Sequence, residues 1–107
     1  MPVQILTVKE LQKKLQEPNE LFLLDVREPT EFAYASIAGS VLIPLNQVPQ
    51  RVSELDRDRE IVVICHHGMR SMQAASYLDH LGYAKVFNLQ GGIDAWSLEC
   101  DSAVRRY

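Results

Sequence analysis

Four short runs of mostly apolar residues mark the strands that the chain is predicted to form. They occupy residues 21–26, 40–44, 61–65 and 85–89. The runs do not alternate apolar with polar positions, as a strand with one face in water would. Continuous runs rich in β-branched residues are typical of strands buried on both faces. They therefore predict a parallel sheet covered by helices.

Helical spacing fills the intervals between these runs. Residues 8–16 follow a capping-box pattern, in which Thr7 precedes Glu10 by three positions, and Pro18 lies just past the end. Further helices are predicted over residues 29–35, 46–55, 70–82 and 91–99. Strands that alternate with short helices indicate an α/β fold with a mostly parallel sheet. From about residue 99 to residue 107 we expect an irregular tail that packs along the surface.

The length and composition predict one domain, residues 1–107, since halves of a 107-residue chain could not hold cores. A net charge of −3 argues against a general binder of nucleic acid or anionic membranes. No apolar run is long enough to span a bilayer, and we find no signal peptide. Two cysteines, Cys65 and Cys100, are too few for a secreted disulfide framework. We therefore expect a cytoplasmic protein with reduced thiols.

Cys65 ends the third apolar run and opens the stretch "CHHGMRS", which leads into a predicted helix. In open α/β sheets, ligands bind at the carboxyl ends of the strands. Successive amides before a helix form an anion-binding nest, and Gly68 lets such a loop curl tightly. Arg70 adds a full positive charge. These features favour the thiolate form of Cys65, so the pattern indicates an activated nucleophile in an anion-binding loop.

The remaining loop residues are candidates for substrate binding. We expect Arg70 to hold an anionic substrate and Ser71 to cap the helix or donate a hydrogen bond to sulfur. The predicted set comprises Cys65 as the nucleophile and His66, His67, Gly68, Met69, Arg70 and Ser71 as binding residues. A buried structural cysteine is the alternative. A zinc site is disfavoured, because adjacent residues rarely face one ion and no second ligand motif occurs, so we expect no metal.

Asp25 and Arg27 follow another buried run and should reach the same edge of the sheet as Cys65. We interpret them as structural. Arg27 is predicted to pair with Glu31 or Glu28, while Asp25 ties down a neighbouring loop. A supporting role in holding the loop after Cys65 is compatible with that interpretation.

Three segments together resemble the rhodanese-like family of sulfurtransferases in its single-domain form. "CHHGMRS" is similar to that family's C-x-x-G-x-R-S loop, "LLDVREPTEF" to its first motif and "NLQGGIDAW" to its last. The resemblance implies a five-stranded sheet with helices on both faces, and a persulfide carried by Cys65. One departure is Ser36, which stands where family members commonly have a histidine.

The resemblance implies a transferase without a cofactor. It would move a sulfane sulfur from an anionic donor such as thiosulfate to cyanide, a thiol or a sulfur-carrier protein. A cysteine phosphatase or arsenate reductase is an alternative, but those enzymes follow C-x5-R, and only four residues separate Cys65 from Arg70 here. A regulatory binding module is a second alternative. Such modules have lost the cysteine that this chain retains.

Overall fold

A computed structural model of the chain describes residues 3–107 as a sheet with helices on both faces. The strands are β1 (Gln4–Leu6), β2 (Phe22–Asp25), β3 (Val41–Leu42), β4 (Ile61–Ile64) and β5 (Val86–Leu89). The α-helices are α1 (Val8–Gln16), α2 (Pro29–Tyr34), α3 (Val48–Arg51), α4 (Met69–His80) and α5 (Gly92–Glu99). The strands lie in the order β1–β5–β4–β2–β3, and every pairing is parallel. This confirms the predicted α/β fold.

The central strand β4 explains why the strand runs are continuously apolar. All four of its residues are buried. Successive side chains of a strand point to opposite faces, so Val63 packs beneath α4 with Leu78, while Val62 packs on the other face with Leu11 of α1 and Ile93 of α5. Helices thus cover both faces of β4, and every one of its positions packs against apolar side chains.

Helix α1 confirms both the predicted bounds and the predicted capping box. The amide of Glu10 donates to Thr7 Oγ1 at 3.1 Å, and the amide of Thr7 donates to Glu10 Oε1 at 2.8 Å. These reciprocal bonds satisfy backbone donors that would otherwise lack partners at the start of the helix.

Two elements differ from the prediction. The sequence pattern did not predict β1, a three-residue strand at the edge of the sheet. Only Leu6 of this strand is buried, and the strand is too short to show as an apolar run. The single helix predicted over 46–55 is wrong. The structure has a 3-10 turn at Leu45–Gln47, then α3, then a 3-10 turn at Val52–Glu54. Pro49 lacks an amide hydrogen and fits only the first turn of a helix, so the helix restarts there.

The register of the sheet brings the predicted site residues to one edge. Asp25, the last residue of β2, pairs with Ile64, the last residue of β4. On the other side of β4, Asn88 of β5 pairs with Val63. Cys65 therefore follows the central strand between two neighbours whose ends also carry polar side chains. No helix within residues 3–107 is long and apolar enough to cross a membrane.

Candidate active site

The thiol of Cys65 lies at the base of the loop between β4 and α4, and the residue is only 1% exposed. The amide of Gly68 donates to Cys65 Sγ at 3.0 Å. Gly68 is also the residue that caps α4, with φ of 112°. That angle lies in the left-handed region, which glycine adopts without a steric penalty. The sulfur therefore accepts a backbone hydrogen bond at the start of a twelve-residue helix.

A closed ring of hydrogen bonds holds this loop. Ser71 Oγ lies 3.2 Å from Cys65 Sγ and donates to Asn88 Oδ1 at 2.5 Å. Asn88 Nδ2 donates in turn to the carbonyl of Gly68 at 3.2 Å. Cys65, Ser71 and Asn88 are all buried. Ser71 contacts the sulfur, but its single hydroxyl proton goes to Asn88, so it does not donate to the sulfur as predicted, and the cap of α4 is Gly68. Asn88 was not predicted, although an asparagine inside an apolar strand run is a usable signal.

The start of α5 supports the same loop from below. The amide of Ile93 donates to the carbonyl of Cys65 at 2.9 Å, and the amide of Asp94 donates to the carbonyl of His66 at 3.1 Å. A side chain at Gly92 would collide with both of those carbonyl oxygens, and Gly92 has a φ of 59°. The two backbones can approach this closely only because a glycine stands there.

An open pocket of about 390 Å³ lies above the sulfur. Its lining comprises Cys65, His66, His67, Met69, Arg70 and Gln73. Five of these six were predicted as site residues, and Gln73 was not. The two other predicted loop residues, Gly68 and Ser71, lie beneath the pocket and contact the sulfur instead. The loop thus divides into residues that hold the thiol and residues that form a mouth around it.

Arg70 is bound to a carboxylate on α2. Its two terminal nitrogens donate to Glu31, one to each oxygen, at 2.6 and 2.9 Å. Glu31 also accepts from the amide of Glu28 at 2.9 Å and from the hydroxyl of Tyr107 at 2.8 Å. The hydrogen bonds from Arg70 lower the pKa of Glu31 to about 2, and those to Glu31 raise the pKa of Arg70. Both groups are therefore charged at neutral pH, and together they carry no net charge.

The predicted pairing of Arg27 with Glu31 or Glu28 is wrong. The guanidinium of Arg27 turns back onto Asp25, with Nε 2.9 Å from Oδ1 and one terminal nitrogen 2.7 Å from Oδ2. Neither side chain has any exposure. A buried charge needs a partner in direct contact, and the carboxylate two positions away provides one. Arg27 also donates to the carbonyl of Ala35 at 2.7 Å, which ties the end of α2 to the sheet.

The tail brings Tyr107 to the mouth of the pocket. The tail is irregular after α5, as predicted, but the sequence pattern carries no signal for where Tyr107 lies. Its ring stacks on that of His66, with 3.9 Å between the ring centroids and 9° between the planes. The ring of His67 also lies 3.9 Å from the ring of His66, with 30° between the planes. Burial and the neighbouring His67 lower the pKa of His66. His66 is therefore neutral at pH 7, and it lines the pocket with a ring that packs against two other rings.

The second cysteine lies outside this site. Cys65 and Cys100 are both free thiols. Cys100 is half-buried, and its Sγ donates to the carbonyl of Val8 at 3.5 Å. Burial raises the pKa of Cys100, which disfavours its thiolate. No group of three or more potential metal-ligating side chains occurs in the described part of the chain, residues 3–107.

Comparison with known proteins assigns this arrangement to a family. Residues 7–99 match the Rhodanese-like domain. The chain belongs to the rhodanese-like family. A rhodanese-like domain protein from Staphylococcus aureus has a solved structure that covers 98% of this chain and 99% of its own, with a TM-score of 0.85 and 28% identity.

Two curated relatives extend the comparison. A protein of Allochromatium vinosum named "Sulfurtransferase" is 39% identical over 89 residues, which are 83% of each chain. The "Rhodanese-like/PpiC domain-containing protein 12, chloroplastic" of Arabidopsis thaliana is 40% identical over 113 aligned positions. These cover 99% of this chain but only 38% of that longer protein. Similarity to named sulfurtransferases therefore supports a transferase activity for this rhodanese-like chain.

Proposed function

We propose that the protein, as one domain over residues 1–107, moves a sulfane sulfur through a persulfide on Cys65. One observation carries this proposal. Cys65 Sγ is buried at the start of α4 and accepts the Gly68 amide at 3.0 Å. An amide donor and the positive end of a helix stabilise a thiolate, and they stabilise a terminal persulfide anion in the same way. Two free cysteines are consistent with a reducing, cytoplasmic compartment.

The first half-reaction loads the cysteine. The Cys65 thiolate attacks the outer sulfur of a donor such as thiosulfate and forms a new S–S bond. The S–S bond of the donor breaks, and sulfite leaves with its electron pair. The product is Cys65–S–S⁻. We expect the amides of the loop from His66 to Ser71 to stabilise the negative charge on the outer sulfur.

The second half-reaction removes the outer sulfur from Cys65. A thiophilic acceptor attacks the outer sulfur, the S–S bond of the persulfide breaks, and Cys65 leaves as a thiolate. Cyanide gives thiocyanate, and the thiolate of a small molecule or sulfur-carrier protein gives a new persulfide. The two covalent steps share one cysteine, so we expect ping-pong kinetics.

The loop residues have distinct proposed roles. Gly68 and Ser71 hold the sulfur by direct contact, while His66, His67, Met69 and Arg70 surround the incoming donor. The pair of Asp25 and Arg27 supports the adjacent end of β2 and α2 without reaching the pocket. The four-residue gap between Cys65 and Arg70 makes a smaller nest than the phosphatase spacing, which favours a single sulfur over a tetrahedral phosphate.

Mass spectrometry of the intact protein tests the proposal. After incubation with a sulfane-sulfur donor and removal of excess reagent, we expect the wild type to gain one sulfur atom, which cyanide then removes. Cys65→Ser should show no gain. Cys100→Ser is the matched control, since it removes the other thiol and should still be loaded.

Two outcomes contradict the proposal. If the wild type gains no sulfur, or if the gain maps to Cys100, Cys65 is not the carrier. If the wild type hydrolyses an aryl phosphate rapidly while it takes up no sulfur, the reaction is phosphoryl transfer instead.

A further inference from the structure

We propose that Glu31 determines the choice of sulfur donor by neutralising Arg70, and that the preferred donor is an organic sulfane-sulfur compound with a single negative charge. This inference rests on the proposed function, in which Cys65 takes up the sulfur. Organic thiosulfonates and persulfides belong to the class. Thiosulfate, which carries two negative charges, is expected to be a poorer donor.

The charge of Arg70 is not free to attract a substrate. Both of its terminal nitrogens donate to the Glu31 carboxylate, at 2.6 and 2.9 Å. Glu31 is held in place independently of Arg70 by the amide of Glu28 and by the hydroxyl of Tyr107. A carboxylate with four hydrogen bonds does not move aside easily. An approaching anion therefore meets an ion pair and not an isolated cation.

Other charges around the loop are neutralised in the same way. Arg106 lies 2.9 Å from Asp94, and that carboxylate also lies 3.9 Å from Nδ1 of His67. Arg27 is buried against Asp25 and does not reach the pocket. These contacts leave the mouth of the pocket with little net positive charge.

What remains to attract an anion is the start of α4. The aligned peptides of a helix place roughly half an elementary charge at its N-terminus. The reactive form of the protein already holds one negative charge there, on the Cys65 thiolate. A donor with one negative charge meets a modest repulsion, whereas a dianion meets twice as much with no free cation to offset it.

The rim of the pocket is suited to an organic substituent. Met69, which follows the glycine cap of α4, is 82% exposed and lines the pocket beside the neutral ring of His66. A methionine side chain is flexible and polarisable, so it adapts to apolar groups of different shape. The pocket of about 390 Å³ is open, and it leaves room for a group attached to the donor sulfur.

Two probes isolate the effect of charge. Methanethiosulfonate differs from thiosulfate by a methyl group in place of one oxygen, and it carries one negative charge where thiosulfate carries two. Each donor gives its outer sulfur to Cys65 as the S–S bond of the donor breaks. The electron pair leaves with methanesulfinate in one case and with sulfite in the other, so both reactions form and break the same kinds of bond.

The experiment measures the second-order rate constant of persulfide formation on Cys65 by mass spectrometry, with each probe. The wild type should react faster with methanethiosulfonate. Glu31→Gln should accelerate the reaction with thiosulfate roughly tenfold and that with methanethiosulfonate roughly threefold, because removal of one negative charge acts twice as strongly on a dianion. Glu54→Gln is the matched control. It breaks a similar pair with Arg51 outside the pocket and should change neither rate.

The outcomes separate this inference from the proposed function. If no persulfide forms on Cys65 with either probe, the proposed function fails. If persulfide forms but the wild type prefers thiosulfate, or Glu31→Gln accelerates both probes equally, the donor assignment is overturned. Should Glu31→Gln not fold, the salt dependence of the wild type decides. The thiosulfate rate rises with added salt if the mouth repels the dianion, and falls if a free cation attracts it.

Discussion

Two arginine–carboxylate pairs lie near the same edge of the sheet, and they differ in burial more than in geometry. Arg27 lies 2.7 Å from Asp25, and Arg70 lies 2.6 Å from Glu31. The side chains of the first pair have no exposure, whereas in the second pair Arg70 is 35% and Glu31 18% exposed. The hydroxyl of Tyr107 contacts both pairs. The same chemistry is thus placed once in the interior and once beside the pocket.

Burial decides what each pair contributes. Two charges removed from water pay a large desolvation cost, which their mutual attraction offsets only while both partners remain. The inner pair, Asp25 and Arg27, therefore makes the fold intolerant of a change at either residue. The outer pair, Glu31 and Arg70, is screened by water and adds less to stability. Its charges lie beside the pocket, however, and under the proposed function they act directly on the sulfur donor.

The largest effect is expected from breaking the inner pair. Asp25→Asn keeps the shape of the side chain but leaves the buried charge of Arg27 without a counter-ion. We expect the free energy of unfolding to fall by about 3 to 5 kcal/mol. Denaturation with urea, followed by circular dichroism, measures the loss.

A second substitution tests the reason for that loss. If the unpaired charge is the cause, Arg27→Met in the Asp25→Asn background should restore part of the stability, because an apolar side chain of similar length needs no partner. A loss below about 1 kcal/mol for Asp25→Asn would contradict the assignment of a dry, structural pair.

Much of the fold and part of the site could be predicted from the sequence. Continuous apolar runs identify strands buried on both faces, and a cysteine at the end of such a run marks the edge of the sheet where the pocket lies. The glycine and the arginine of the loop after Cys65 indicated an anion-binding turn. These features are local, so a pattern of neighbouring residues is enough to detect them.

The partners of the side chains could not be predicted in the same way. Several carboxylates lie close to Arg27 in sequence, and only the packed structure selects Asp25. Tyr107 reaches Glu31 across 76 positions, and Asn88 reaches Ser71 across 17. Contacts of this kind depend on how the strands and the tail are brought together, which the spacing of apolar residues does not encode.

A smaller effect is expected from breaking the outer pair. At neutral pH, Glu31→Gln should reduce the free energy of unfolding by about 1 to 2 kcal/mol. This is less than the lowered pKa of Glu31 alone would give, because water screens the exposed side of Arg70. The pKa of Glu31 is lowered to about 2 in the folded protein, from an ordinary value of 4.5. Its contribution is therefore complete above pH 4.5 and is lost as the pH falls towards 2.

The pH dependence separates the contribution of this pair from general acid denaturation. Urea denaturation at pH 7, 4.5 and 3 should show that the difference in stability between wild type and Glu31→Gln narrows as the pH falls. A difference that stays constant across these three values would mean that Glu31 contributes by packing and not by charge.

The smallest effect is expected from Tyr107→Phe, which separates the two pairs without breaking either. The hydroxyl accepts from Arg27 at 2.8 Å and donates to Glu31 at 2.8 Å, while the ring stacks on His66. Burial raises the pKa of Tyr107, so the hydroxyl keeps its proton at neutral pH and can donate. Phenylalanine retains the stacked ring, so only the two hydrogen bonds are lost.

We expect Tyr107→Phe to reduce the free energy of unfolding by about 0.5 to 1 kcal/mol, since one side of the hydroxyl remains near water. The hydrogen bond from Tyr107 also helps to lower the pKa of Glu31, so the acid-induced loss of stability should begin at a slightly higher pH in the variant. Tyr107→Ala, which removes the ring as well, should cost more. If the phenylalanine and alanine variants are equally stable, the stacking on His66 contributes nothing. If stability falls at the same pH in Tyr107→Phe as in the wild type, the hydroxyl does not couple the tail to the outer pair.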